Sequence, residues 1–159
     1  MDFSGCLVWW VGAALALIHP VPPALVPDGG GVAAPGGPAA AQSVLHRWDA
    51  ARAAAWASGD VAALRGLYTS GSAAGRADAR LLRRYVDRGL RVRGLHTQVF
   101  SVRVLQRAPR RVVVRVVDRI VGGVAVGDGQ CVPLPHDRAD RRTVTLRRVG
   151  ESWLVADVS

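Results

Sequence analysis

From residue 91 onward the apolar residues of this chain fall at every second position, over most of its remaining length. "RVRGLHTQVFSVRVLQR" and "RRVVVRVVDRIVGG" are separated only by Ala108-Pro109. Side chains alternate across a strand, so each run offers one face to a core and one to solvent. Two such runs across a short turn predict an antiparallel hairpin. "DRRTVTLRRVGESWLVADVS" repeats the pattern and predicts a second hairpin, turning near Gly150-Glu151. Between the two, residues 121–139 read as a short strand and an irregular loop. A sheet with one apolar face must bury it against another layer, and the rest of the chain has to supply that layer.

That layer is predicted to be helical. In "QSVLHRWDAARAAAWASGD", Val44, Leu45, Trp48, Ala51, Ala55 and Trp56 recur at helical spacing. Gly59 is a stop signal, and Asp60 is a cap for a second short helix, "VAALRGLY". "TSGSAAG" reads as a loop, and a third helix is expected over 76–88, with Leu81, Leu82 and Tyr85 inward and Gly89 at its end. Helices first and antiparallel strands last predict an α+β fold, with N-terminal helices packed on an antiparallel sheet.

The first 41 residues differ from the rest. "GCLVWWVGAALALI", residues 5–18, carries no charge. A spanning helix needs about 20 apolar residues and a signal segment about 7–15. Residues 1–19 are therefore read as a signal or a short membrane anchor, although no basic residue precedes the run. The domain behind it is expected outside the cytoplasm, exported or anchored; it is cytoplasmic if the segment is not a signal. Residues 20–41 hold six Pro and five Gly, the composition of a disordered linker. The folded domain is expected over 42–159, long enough for one core.

All 21 basic residues are arginine, and lysine and asparagine are absent. Both need A-rich codons, so a GC-rich coding bias accounts for the choice of Arg as well as its planar chemistry does. Arg76, Arg80, Arg83, Arg84 and Arg88 align on the third helix. This basic surface is read as a solvated face in preference to a patch for anionic lipid or nucleic acid. Cys6, Cys131 and the four scattered histidines have no metal-site spacing, and there is no phosphate-binding loop or nucleophile elbow. Neither metal nor cofactor is expected.

The segment "W…W.SGD…L..LY", then a helix, then a sheet ending "VTLRRVGESWLVADV", resembles the nuclear transport factor 2-like superfamily over residues 42–159. That superfamily includes ketosteroid isomerases, SnoaL-type polyketide cyclases and many non-catalytic domains. The chain also resembles its exported or membrane-anchored actinobacterial type. The resemblance implies a cone-shaped fold, with helices on a curved antiparallel sheet around a cavity, often dimeric.

In such a fold His96, Gln98, Phe100, Val102 and Val104 would face Val112, Val114, Val116, Asp118 and Ile120 if the hairpin kept its register. Asp118, with His96, is then the candidate general base, because a carboxylate shielded from water has a raised pKa and can accept a proton from an acidic carbon. Trp48, Arg52, Trp56, Tyr85 and Phe100 are candidate pocket-lining residues. Against catalysis, a buried carboxylate is costly unless paired, and Arg52 or a neighbouring-strand arginine could pair Asp118. The first helix also lacks a tyrosine, whereas the isomerases use one as an oxyanion donor.

The leading reading is a non-catalytic cell-envelope accessory domain that binds a small apolar ligand or an envelope protein, with a homodimer through the sheet. The alternative is a SnoaL-like or isomerase-like enzyme. A basic-surface nucleic-acid binder is the least favoured.

Overall fold

The computed structural model describes residues 34–127, 129–135 and 137–159. The apolar segment 1–19, most of the expected linker and His136 lie outside the described residues. Three helices, α1 (Pro38–Ser58), α2 (Val61–Gly66) and α3 (Ala73–Val86), precede five strands. These are β1 (Arg91–Ala108), β2 (Arg111–Gly127), β3 (Gln130–Pro133), β4 (Asp140–Val149) and β5 (Ser152–Val158). The sheet runs β1-β2-β4-β5, and β3 pairs with the far end of β2. All of these strand pairs are antiparallel. The α+β architecture is the one the change of period predicts.

The helix boundaries obey local chemistry. α1 starts at Pro38, ahead of the expected domain boundary at Gln42, and Ala41 is fully buried. Proline opens a helix at no hydrogen-bond cost, and the alanines after it favour its continuation. A count of Pro and Gly cannot distinguish a proline that opens a helix from one in a linker. Gly59, at φ 75°, ends α1, and the Asp60 side chain accepts from the Ala63 N–H at 2.8 Å to start α2. α3 begins at Ala73 rather than Arg76, because Ser72 Oγ accepts from the Gly75 N–H at 3.1 Å. "TSGSAAG" had the composition of a loop, yet its second serine is a helix cap.

In the first hairpin, Val102 faces Val116 and Val104 faces Val114, as expected. A bulge between Val99 and Ser101 then changes the parity of β1. Before the bulge, Thr97 and Val99 lie opposite Ile120 and Asp118, while His96 and Gln98 lie opposite Val121 and Arg119 on the other face. The Gly122-Gly123 pair lies inside β2 with φ of 69° and 93°. A Cβ on Gly122 would sit 2.6 Å from the Gly94 carbonyl oxygen. Glycine there lets the two backbones approach, and β2 continues to pair with β3.

The inner face of the sheet carries Val112, Val114, Val116, Leu146 and Val155, each at most 1% exposed. Val44, Leu45, Trp56, Leu64 and Leu82 from the helices join them in one core. Leu81 was expected inward but is 39% exposed, with Leu82 holding the core position instead. The chain after α2 is stitched to β5: the Thr69 N–H donates to the Val155 carbonyl, and the Val155 N–H donates to that of Leu67. This fixes Tyr68 at the junction of helices and sheet.

Candidate functional site

A cavity of about 840 Å³ opens between α1, α3 and the sheet. Leu45, Val99, Val116, Ile120, Val144 and Val155 form much of its apolar wall. Three clusters of polar groups organise it, and Arg80, Arg83, Arg84, Asp87 and His46 also border it.

The first is centred on Asp78 of α3. Its Oδ2 accepts from Arg52 Nε at 2.7 Å and from the Tyr68 hydroxyl at 2.8 Å. Its Oδ1 accepts from the second Arg52 nitrogen at 2.9 Å and from Trp56 Nε1 at 3.2 Å. Trp48, Arg52 and Trp56 stand at i, i+4 and i+8 on α1, so the guanidinium lies between two indoles, 6.0 and 5.8 Å from their centroids. Burial alone would pull the Arg52 pKa down, but the bonded Asp78 outweighs it and the guanidinium stays charged. Burial, and then the Asp78 carboxylate, push the Tyr68 phenol well above its usual range. That phenol is thus committed to Asp78 and holds its proton.

The second cluster is smaller. Asp49 of α1 accepts from the Thr97 N–H at 2.8 Å and from the Thr97 hydroxyl at 2.6 Å. It ties α1 to the part of β1 that precedes the bulge.

The third is Asp118 on β2. Arg142 Nε approaches its Oδ1 to 3.4 Å, within ion-pair range but without hydrogen-bond geometry, and this buried oxygen accepts no hydrogen bond. Burial raises the Asp118 pKa. Arg142 pulls it back in part, and the charges of Asp137, Asp140 and Asp49 add to the rise. An acid whose folded pKa exceeds its unfolded pKa opposes folding once ionised. Its contribution is neutral below the unfolded value, turns unfavourable as pH rises past that value, and reaches its full cost above the folded one. Asp118→Asn is therefore expected to raise the melting temperature at pH 7.5, with the gain fading toward about pH 4, near the usual Asp pKa. Paired thermal melts at the two pH values check this; a loss at pH 7.5 would mean that the Arg142 pair dominates.

The structure brings Asp118, Trp48 and Arg52 to the cavity and leaves other expected residues outside it. The bulge puts His96 and Phe100 off the inner face: His96 is exposed, and Phe100 is 51% exposed with Arg119 stacked on its ring. Trp56 and Tyr85 pack edge to face against each other at 5.5 Å instead of lining the cavity. Asp118 pairs with Arg142 and not with Arg52. The arginines of α3 divide: Arg80, Arg83 and Arg84 border the cavity, whereas Arg76 donates to the Gly71 carbonyl. Sequence reasoning missed Asp49 and Asp78 as organising residues. A signal for the latter existed, since Asp78 lies three residues after Gly75 and four before Leu82, both on the buried side of α3.

No protein-family model matches the chain, and no curated protein matches it by sequence. Among solved structures, the intermembrane-space region of the chloroplast protein ARC6 superposes with a TM-score of 0.54 at 10% identity, over 75% of this chain and 92% of that one. An NTF2-like protein with a cystatin-like fold from Novosphingobium aromaticivorans gives 0.44 at 15% identity, over 74% and 78%. A protein of the NTF2-like family from Streptomyces avermitilis gives 0.48 at 14%, over 76% and 95%. At such identities the likeness is one of fold. The class is an α+β domain with helices packed on an antiparallel sheet.

Proposed function

We propose that this is a non-catalytic binding domain whose cavity receives a small, mainly apolar ligand. The observation that carries this reading is the open 840 Å³ cavity with apolar walls, a size at which small-molecule sites bury most of a ligand. The catalytic alternative keeps one supporting observation, the buried Asp118 oxygen without a hydrogen bond. Two candidate partners are already committed, because the cavity hydroxyls of Tyr68 and Thr97 donate to Asp78 and Asp49. An acid–base reaction at a carbon would leave the developing oxyanion without one of these donors.

Placement outside the cytoplasm is proposed from the uncharged run at residues 5–18, and cell fractionation checks it. A homodimer, which the resemblance implies, is proposed away from the centre of the outer sheet face. There Arg103 lies opposite Arg115 and Arg111 opposite Arg147. Like charges on facing strands already repel, and a second copy would add to them.

Fluorescence of the neutral probe N-phenyl-1-naphthylamine tests the ligand reading on the full chain. Enhancement is expected with the wild type and a large loss with Val99→Trp, which fills the cavity from β1. Equal signals from the two proteins would place the probe elsewhere and overturn it.

A further inference from the structure

We infer that the cavity's ligand is an amphipathic anion, its acidic head held at the mouth by Arg80, Arg83 and Arg84 and its apolar body directed inward. This deepens the ligand-binding reading and rests on it. The three arginines stand at i, i+3 and i+4 of α3, so they share the face that borders the cavity. All three are exposed, and among the described residues none makes an ion pair or a side-chain hydrogen bond. Asp87, the residue that caps the C-terminal end of α3, lines the same cavity.

The interior offsets this positive charge only in part, since the lining carries five arginines against four aspartates. Arg52 neutralises Asp78, whereas Asp49, hydrogen-bonded to the neutral Thr97, keeps its negative charge. Asp118 is paired with Arg142. Behind the mouth the wall is mainly aliphatic. A carboxylate or phosphate head on an apolar body meets guanidinium groups first and hydrocarbon beyond, whereas a cation meets repulsion at the entrance. Fatty acids, aromatic acids and lipid phosphates share this chemistry.

The test uses three probes built on ten-carbon chains, decanoate, decanol and decyltrimethylammonium, each titrated into the full chain by calorimetry. Decanoate is expected to bind most tightly and decyltrimethylammonium least. In the triple variant Arg80→Gln, Arg83→Gln, Arg84→Gln, decanoate affinity is expected to fall about tenfold, as three partly screened charge contacts predict, with decanol unchanged. The preference for decanoate is also expected to shrink with added salt. Decanol binding as tightly as decanoate, or both weakening together in the variant, would overturn the anion assignment and leave the ligand reading standing. No binding by any of the three would overturn both. Val99→Trp is expected to abolish binding of decanoate and decanol alike; retained decanoate binding in that variant would place the anion on the surface and overturn the inference.

Discussion

Asp78→Ala is expected to lower the stability of the domain by about 3–5 kcal/mol, the usual cost of stranding one member of a buried ion pair. The substitution removes the acceptor of four hydrogen bonds at once. Arg52, whose side chain is 13% exposed, would keep its charge between two indole rings with no carboxylate opposite. The Tyr68 hydroxyl and the Trp56 N–H would also lose their partner. For a domain of this size the melting temperature should fall by on the order of 10 °C or more. Chemical denaturation of wild type and variant measures the loss. The double variant Arg52→Met, Asp78→Leu should recover the part that comes from the stranded Arg52 charge, but not the part from the Tyr68 and Trp56 donors, which it leaves without an acceptor. A loss below about 1 kcal/mol in the single variant would show that the cluster is not holding the helices together.

Gly75→Ala is the second large effect, and its sign is opposite to what helix propensity predicts. On an exposed helix the change would gain up to about 1 kcal/mol. Here the added Cβ would lie 2.6 Å from Cγ of Tyr68 and 2.7 Å from its Cβ. The Tyr68 ring cannot easily retreat. Its hydroxyl is bonded to Asp78, its ring meets Trp48 edge to face at 5.5 Å, and the backbone on either side is bonded to β5. Overpacking a fixed neighbour costs about 1–3 kcal/mol, so a net loss is expected. The cause can be separated by a cycle: in a Tyr68→Ala background the same substitution should become neutral or stabilising. A loss of equal size in both backgrounds would place the strain elsewhere.

Gly75 and Asp78 also mark how far the sequence could be read. Gly75 looked like part of a loop because Gly and Ser flank it. The cap at Ser72 and the close approach of Tyr68 explain the same letters differently. Asp78 stands within an arginine-rich helix, yet it is the acceptor for Arg52, 26 residues earlier and on another helix. Arg52 itself was visible as a charge inside the apolar arc of α1, which is why it entered the candidate pocket, but its partner was not. Local spacing shows that a buried charge needs a mate and says nothing about which distant acid supplies it.

The sequence by itself determined the order of layers, the hairpins, the stop at Gly59, the cap at Asp60 and the inward face of β2 that carries Asp118. Each of these depends on dihedral preferences or periodicity within a few residues, and such signals are written locally. The tertiary structure alone decided which β1 residues face Asp118. A one-residue bulge after Val99 sends His96 and Phe100 outward and brings Thr97 and Val99 in. It also decided that Arg142 neighbours Asp118 and that the arginines of α3 divide between cavity mouth and open surface. A bulge leaves no mark in an alternating pattern, and a pairing between separate elements exists only once they have packed. For that reason the presence of a carboxylate among the valines could be read from the chain, and its surroundings could not.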